Sequence, residues 1–549
     1  MHRRGVRRGT RYHLRPGARI HDRDFGTPNM HRHRLLAASL TIEAVSYRER
    51  PANPSPPRPG VLDEGRARVV IVGGGYTGAA VAVQLANAVG ERIAITIVEP
   101  REEVGCGMAY STRDPDHRLN GPLDNHLLDP ARADGLREWC AREGVLTADR
   151  DAQAANGGTY VRRGDFGRFV ASAVREAAAR PGTSLRHHRA MALGVECAGK
   201  VTHVIASDGT RFPADMMLIA TGNGTPRLPA LFSRFAGDSR VIVNPFDAEA
   251  LGRLRAASRI LLVGSGLTAM DVTATLLRHG KRHRIDALSR HGLRPATHRE
   301  RVPDLSPLTL LERIEGPVPE YALHALGARS MRALSRALRE RIAGSVHAGA
   351  DWREAFDELR NVVWQVWPRV PAAEKRRFLR HLRIHYDTYR FRVPPQTRAR
   401  VESAERNGEV GFHAGRLVGI AANGDALRIE WKGRAGGHDS SHDYDAIVNC
   451  TGLEADCGAR SNPFLASLLA AGLLRHDDCG FGFAVDAQCR PIGRDGEVSS
   501  NMRLVGPPSA GTHGDPLGVI FIAAQVRRVL PGVVAALGLS TAKREAAAN

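Results

Sequence analysis

Residues 68–99 read RVVIVGGGYTGAAVAVQLANAVGERIAITIVE. The run Val69–Val72 is continuously apolar and β-branched, as a parallel strand buried on both faces must be. It opens into Gly73-Gly74-Gly75-Tyr76-Thr77-Gly78, an Ala-rich helical stretch and a second strand that ends at Glu99. Strand, G-x-G-x-x-G, helix, strand and terminal acid predict a dinucleotide-binding βαβ unit. Gly73 permits the tight turn, Gly75 lets the backbone approach a pyrophosphate, and Gly78 lets helix and strand pack closely. The helix N-terminus offers N–H groups and a positive dipole end to phosphates. Glu99 is placed to accept hydrogen bonds from ribose hydroxyls.

The pattern returns at Gly264-Ser265-Gly266-Leu267-Thr268-Ala269, between a strand at Ile260–Val263 and a helical MDVTATLLRHG. Here Ala269 replaces the third glycine, and Ser289 and Arg290 stand where the first unit has its acid. An acid repels a 2′-phosphate, whereas a hydroxyl and a guanidinium bind one. The two units therefore predict FAD in the first and NADPH in the second. MMLIATG at 216–222, with Thr221 and Gly222, and DAIVNCTG at 445–452 read as strands opening into Thr-Gly turns where the chain crosses between halves. Before the first of them lies a hairpin pattern turning at Asp208-Gly209. A late strand ends at Gly506, and Gly514-Asp515-Pro516 precedes an apolar helix whose N-terminus would face the flavin ring.

The fold class is thus α/β, with two Rossmann-like dinucleotide-binding domains (FAD and NADPH) and a helical insertion. The boundaries read as 67–235 for the first part of the FAD domain and 236–444 for the NADPH domain. A charged, amphipathic insertion occupies about 304–393, and 445–549 form the FAD-domain return with a C-terminal helix. Residues 1–66 read as a basic extension outside the fold: 1–64 hold 13 Arg and carry +7 of the chain's net +20. Such a head is a solvated tail or the product of a start placed too far upstream, and it assigns no nucleic-acid partner. Among all 549 residues 42% are hydrophobic and 25% charged, which excludes a wholly disordered or collagen-like chain. No stretch approaches the ~20 uninterrupted apolar residues of a membrane span. Seven scattered Cys without a C-x-x-C pair argue against a disulfide framework, a zinc site or a dithiol reductase, and for a reducing cytoplasm. No metal-ligand spacing stands out.

The blocks Gly105-Cys106-Gly107-Met108-Ala109-Tyr110-Ser111, Asp114-Pro115-Asp116-His117 and Leu119-Asn120 have a recognisable order. So do GSGLTAMD at 264–271, LSRHGLRP at 288–295, His298, and the middle set Asp351-Trp352-Arg353, Trp364, Arg377-Phe378 and Arg380-His381. Together they resemble the bacterial FAD/NAD(P)-binding proteins that include urate hydroxylase and the aspartate N-oxygenase of diazo biosynthesis. The resemblance runs over roughly residues 66 to 530. It implies a monooxygenase that takes hydride from NADPH, forms a C4a-peroxyflavin from oxygen and hydroxylates a small polar, amino or purine-like substrate. Tyr386, Tyr389 and Phe391 depart from the family pattern, which has a Trp and two His there. His acid–base chemistry is then not available at those positions, and neither urate nor aspartate carries over.

Other residues keep two readings. Asn120 is a flavin hydrogen-bond partner or a turn residue. Arg294 and His298 steer a pyrophosphate or acidic substrate, or belong to a basic surface loop. Arg390 and Arg392 bind a substrate carboxylate or form a solvated face. Asp271 reads as dipole compensation in its helix, Cys106 as a small buried residue, and Trp364 and Trp367 as core. No catalytic residue is assigned. Two rival functions stay open: a reductase passing electrons from NADPH to a partner, and a flavin-binding redox sensor.

Overall fold

The computed structural model describes residues 65–540, apart from 199–200, 280–282, 435–438 and 455. The basic head read in residues 1–64 lies outside the described residues. Strands β1 (Ala67–Val72), β2 (Ile93–Val98) and β3 (Ser184–His188) pair in parallel, with Val69 opposite Ile95 and Ile97 opposite His187. β1 is buried on both faces, and its alternation sorts its side chains into two cores. Val69 and Ile71 face the core of helices Tyr76–Val89, Arg163–Ala178 and Val519–Ala536; Val70 and Val72 face Phe464, Leu465 and Leu468. Each such side chain contributes about 1.5–3 kcal/mol by leaving water.

Strands β4 (Ala192–Ala198), β5 (Val201–Ala206) and β6 (Arg211–Ala214) form a small antiparallel sheet, with Asp208-Gly209 in the β5–β6 turn. β7 (Met216–Ile219) then returns to pair with β1.

The chain next builds a second sheet. β8 (Val241–Ile242), β9 (Arg259–Val263), β10 (Arg284–Ser289), β11 (Val410–Asn423), β12 (Ala426–Gly433), β13 (Ser440–Tyr444) and β14 (Ala446–Asn449) lie in the order β13-β12-β11-β10-β9-β14-β8. β8, β14, β9, β10 and β11 are parallel, whereas β11, β12 and β13 meander antiparallel. β15 (Met502–Leu504) completes the first sheet, β15-β7-β1-β2-β3. Two open sheets with parallel cores and helical crossovers are the doubly wound α/β arrangement.

Between β10 and β11 run the inserted helices, from Pro307–Glu315 to Arg383–Arg390. They enclose a core of their own around Val318, Met331, Leu334, Val362 and Val366. One boundary read from the sequence needs correction. The return to the first domain was set at 445, but β14 pairs with β9, Ile447 opposite Leu261, and with β8. The chain leaves the second sheet only after Asn449. A short, wholly apolar strand carries no mark of the sheet it will join.

The helix Val519–Ala536 is long and apolar enough to cross a membrane by length and composition. In this fold more than half of it is buried, and Val526, Val529 and Val533 lie in the core shared with Tyr76–Val89.

The Asp114–His117 block locks the two dinucleotide units together. Asp114 accepts from Arg278 at 2.7 Å and from the Thr275 hydroxyl at 2.8 Å. Asp116 pairs with Arg278 at 2.6 Å and also with Arg400. The His117 ring lies 3.1 Å from Thr275 Oγ1, and burial lowers its pKa. Beside them Arg163 meets Asp271 at 2.7 Å, with side chains 10% and 5% exposed. Asp271 is thus an interdomain ion-pair partner rather than only a dipole compensator.

Candidate functional site

The loop after β1 and the N-terminus of helix Tyr76–Val89 form one wall of a cavity of about 480 Å³. A Cβ on Gly78 would stand 2.0 Å from the Gly73 carbonyl oxygen, so only glycine lets the helix sit this close. The helix has Gly75 as its N-cap and no side-chain cap, which leaves its first N–H groups for an anion. Gly73, Gly75, Glu99, Asn120, Thr221 and Gly222 all line this cavity. Glu99, 3% exposed, accepts from the Gly74 N–H at 2.7 Å and pairs with Arg101 at 2.9 Å. The Asn120 side-chain oxygen accepts from Arg163 at 2.9 Å, and its carbonyl lies 2.7 Å from His298 Nε2. A glycine turn, an uncapped helix start and a buried acid fit the pyrophosphate and ribose of a dinucleotide.

The cavity extends between the two crossovers, past Asn223 and Leu453, to residues 517–522 at the start of the C-terminal helix. His126 and His298 also line it, and burial pushes both down to about 4, so both are neutral near pH 7. Cys106 lines it as the one cysteine there among the described residues, with its thiol pushed up to about 11 by burial.

The far wall is cationic. Arg299, Arg360, Arg390 and Arg392 line it together with Asp357. Arg392 forks onto Asp357 at 2.7 and 2.9 Å, and Arg360 and Arg299 approach the same carboxylate at 3.1 and 3.5 Å. Burial opposes ionisation of Asp357, but Arg360, Arg392 and Arg299 outweigh it and hold the carboxyl at about 2. Arg390 pairs with Asp515, which also accepts from the Tyr386 hydroxyl at 3.2 Å.

Two sequence expectations are therefore corrected. Arg390 and Arg392 do reach the cavity, but their forks are already engaged by Asp515 and Asp357. The Asp515 side chain, read as a flavin contact, is turned to the inserted helices because Arg390 and Tyr386 hold it there. Asp357, Arg299 and Arg360 were missed. Their signal was the i, i+3 pair Asp357 and Arg360 on the helix Trp352–Asn361, but charged pairs on amphipathic helices ordinarily face solvent.

The second dinucleotide turn lies apart from this cavity; Gly264, Gly266, Ala269, Ser289 and Arg290 do not line it. Gly266 caps the helix Leu267–Arg278 without a side-chain hydrogen bond, and Ala269 is fully buried under it. The Ser265 and Ser289 hydroxyls lie 2.7 Å apart, and Ser289 accepts from the Gly292 N–H at 3.0 Å. Arg290 is exposed and has no side-chain partner among the described residues. Arg294 instead pairs with Glu405 at 2.6 Å. Gly506 is covered by Thr77, to which a Cβ would come within 2.9 Å, while its N–H donates to Gln525 at 2.8 Å.

Fold and site define a protein of FAD/NAD(P)-binding domains, two in one chain. Residues 70–224 match the family described as FAD-NAD(P)-binding, and residues 186–300 match L-lysine 6-monooxygenase/L-ornithine 5-monooxygenase. No curated protein matches the chain. Among solved structures, L-lysine 6-monooxygenase from Pseudomonas syringae is similar at TM-score 0.59 and 14% identity, over 86% of this chain and 100% of that one. The ornithine N-hydroxylase of Kutzneria sp. 744 is similar at TM-score 0.56 and 15% identity, over 85% and 99%. The reduced ornithine hydroxylase of Pseudomonas aeruginosa is similar at TM-score 0.55 and 15% identity, over 86% and 100%. At these identities the likeness is one of fold.

Proposed function

We propose that this chain is an FAD-dependent, NADPH-oxidising monooxygenase that hydroxylates the nitrogen of a small amino-bearing substrate. One observation carries the reading: a single cavity joins the first glycine turn, both interdomain crossovers and a buried arginine wall. The names of the similar solved structures, amine hydroxylases and monooxygenases, support it. Bound across this cavity, FAD would supply the capacity to accept hydride from NADPH and to activate oxygen.

The chain's own residues do the rest. Gly73, Gly75 and the uncapped helix start hold the FAD pyrophosphate, and Glu99 holds its ribose. Thr221, Gly222, Asn120 and the neutral His298 border the ring. Gly264, Gly266, Ala269, Ser289 and Arg290 hold NADPH. Gly506 and Asp515 act indirectly, by seating the loop before the C-terminal helix. The interdomain lock fixes the two binding turns relative to each other, which a hydride transfer between bound rings requires. The arginine wall attracts a substrate's carboxylate and disfavours a free cation. Cys106, the one cysteine lining the cavity among the described residues and inert, supports the reading against a dithiol reductase.

The test is NADPH oxidation by the FAD-loaded protein in air, with and without a panel of amino acids and amines. An active substrate should accelerate NADPH loss and yield about one hydroxylated product per NADPH, with little hydrogen peroxide. NADPH oxidation that ignores every amine but needs an added electron acceptor would overturn the reading in favour of a reductase.

A further inference from the structure

A second cavity, of about 100 Å³, lies inside the helical insertion. It shares Arg360, Phe391 and Leu517 with the large cavity. Its deeper walls are Met331, Leu334, Val363, Val366 and Phe378. Apart from Arg360, the charged groups that touch it are paired: Arg383 pairs with Asp387 at 3.3 Å, and Asp515 pairs with Arg390 and accepts from the Tyr386 hydroxyl at 3.2 Å. No carboxylate in it is left without a cationic partner among the described residues.

The arginine wall of the large cavity, which Arg360 shares with the small one, has in contrast more cation than anion. Arg299, Arg360, Arg390 and Arg392 share two buried carboxylates, Asp357 and Asp515. Glu354, which also touches Arg299, is 57% exposed. Arg360 is 13% exposed, and its Nε has no hydrogen-bond partner. Burial drags its guanidinium down to about 10, despite Asp357. An anion at this wall would supply the missing countercharge, and a guanidinium binds a carboxylate well.

We infer that the substrate is an amino acid with an apolar side chain, its carboxylate held at Arg360 and its side chain seated in the small cavity of the insertion. The inference rests on the amine-oxygenating reading above and names its substrate class. An apolar cavity somewhat larger than this one, about 150 Å³, holds benzene, so a short branched alkyl group suits this one in bulk. A side-chain ammonium would enter it without a free carboxylate partner, which is costly. Phe391, at the junction, presents a ring to whatever passes.

Calorimetric titration of the full-length, FAD-loaded protein with NADP+ present tests this. The probes are leucine, 4-methylpentanoate (leucine without its amine), 3-methylbutylamine (leucine without its carboxylate), aspartate and ornithine. Leucine and 4-methylpentanoate should bind, and the other three at least about 30-fold more weakly. Arg360→Gln should weaken both carboxylates by about the same factor. Val363→Phe, which fills the small cavity, should weaken leucine similarly. Aspartate or ornithine binding as tightly as leucine would overturn the inference, as would no binding of leucine or an unchanged leucine affinity in either variant. The panel on the unaltered protein decides the matter even where a variant fails to fold. Leucine binding without leucine-stimulated NADPH oxidation would overturn the oxygenase reading and leave this pocket assignment standing. Hydroxylation of ornithine would do the reverse.

Discussion

At the scale of single residues, position in the fold separates cations that hold the protein together from those free to hold a ligand. Arg392, Arg390, Arg278 and Arg163 each have a carboxylate partner. Arg290 has none among the described residues, and it follows a serine fixed by the Ser265 and Gly292 contacts. An exposed guanidinium beside an oriented hydroxyl at the end of β10 suits a 2′-phosphate. Arg290→Ala should therefore raise the KM for NADPH about 10–100-fold, the value of one lost charge-assisted contact. The KM for NADH should hardly move. Equal effects on both nucleotides in steady-state assays would refute the phosphate assignment.

At the scale of elements, the lock between the helix Leu267–Arg278 and the Asp114–His117 loop contains contacts of two kinds. Arg163–Asp271 is buried, so removing one partner leaves a stranded charge, at a cost of about 3–5 kcal/mol. Arg278 is 37% exposed, and without it Asp114 keeps the Thr275 hydroxyl and Asp116 keeps Arg400, so its loss strands no unpartnered charge and costs less. Asp271→Asn should accordingly lower the Tm several-fold more than Arg278→Ala does, in thermal unfolding followed by circular dichroism. Equal shifts would mean that burial does not govern this interface. The sequence marks Asp114, Asp116 and Asp271 as notable but says nothing of this use. Their partners lie more than a hundred residues away, and spacing along a chain reports only local neighbours.

At the scale of the molecule, the same limit sets what was legible. The glycine turns at Gly73 and Gly264, the Thr-Gly crossovers and the inserted helices are local patterns, and each could be read directly. The boundary at 445 failed because β14 is local in neither pairing nor burial. The arginine wall was half-read: Arg390 and Arg392 stand in one short segment, whereas Asp357, Asp515 and Arg299 come to them from other elements. Long-range burial also sets the pH response of the fold. His126, His298 and His513 are each pushed by burial from 6.5 down to about 4, and Asp387 is pushed by burial from 3.8 up to about 6. Near pH 5 the unfolded chain holds one more proton at each of the three histidines, while the folded chain holds one more at Asp387. His117, His279, His291 and His442 are lowered as well, so unfolding takes up protons on balance and stability should rise with pH over this interval. The histidine contribution is complete above pH 6.5 and is lost as pH falls towards 4. His513→Gln, which touches neither cavity, should reduce the slope of stability against pH in urea unfolding between pH 4.5 and 5.5. An unchanged slope in the variant would show that His513 is charged in the folded protein.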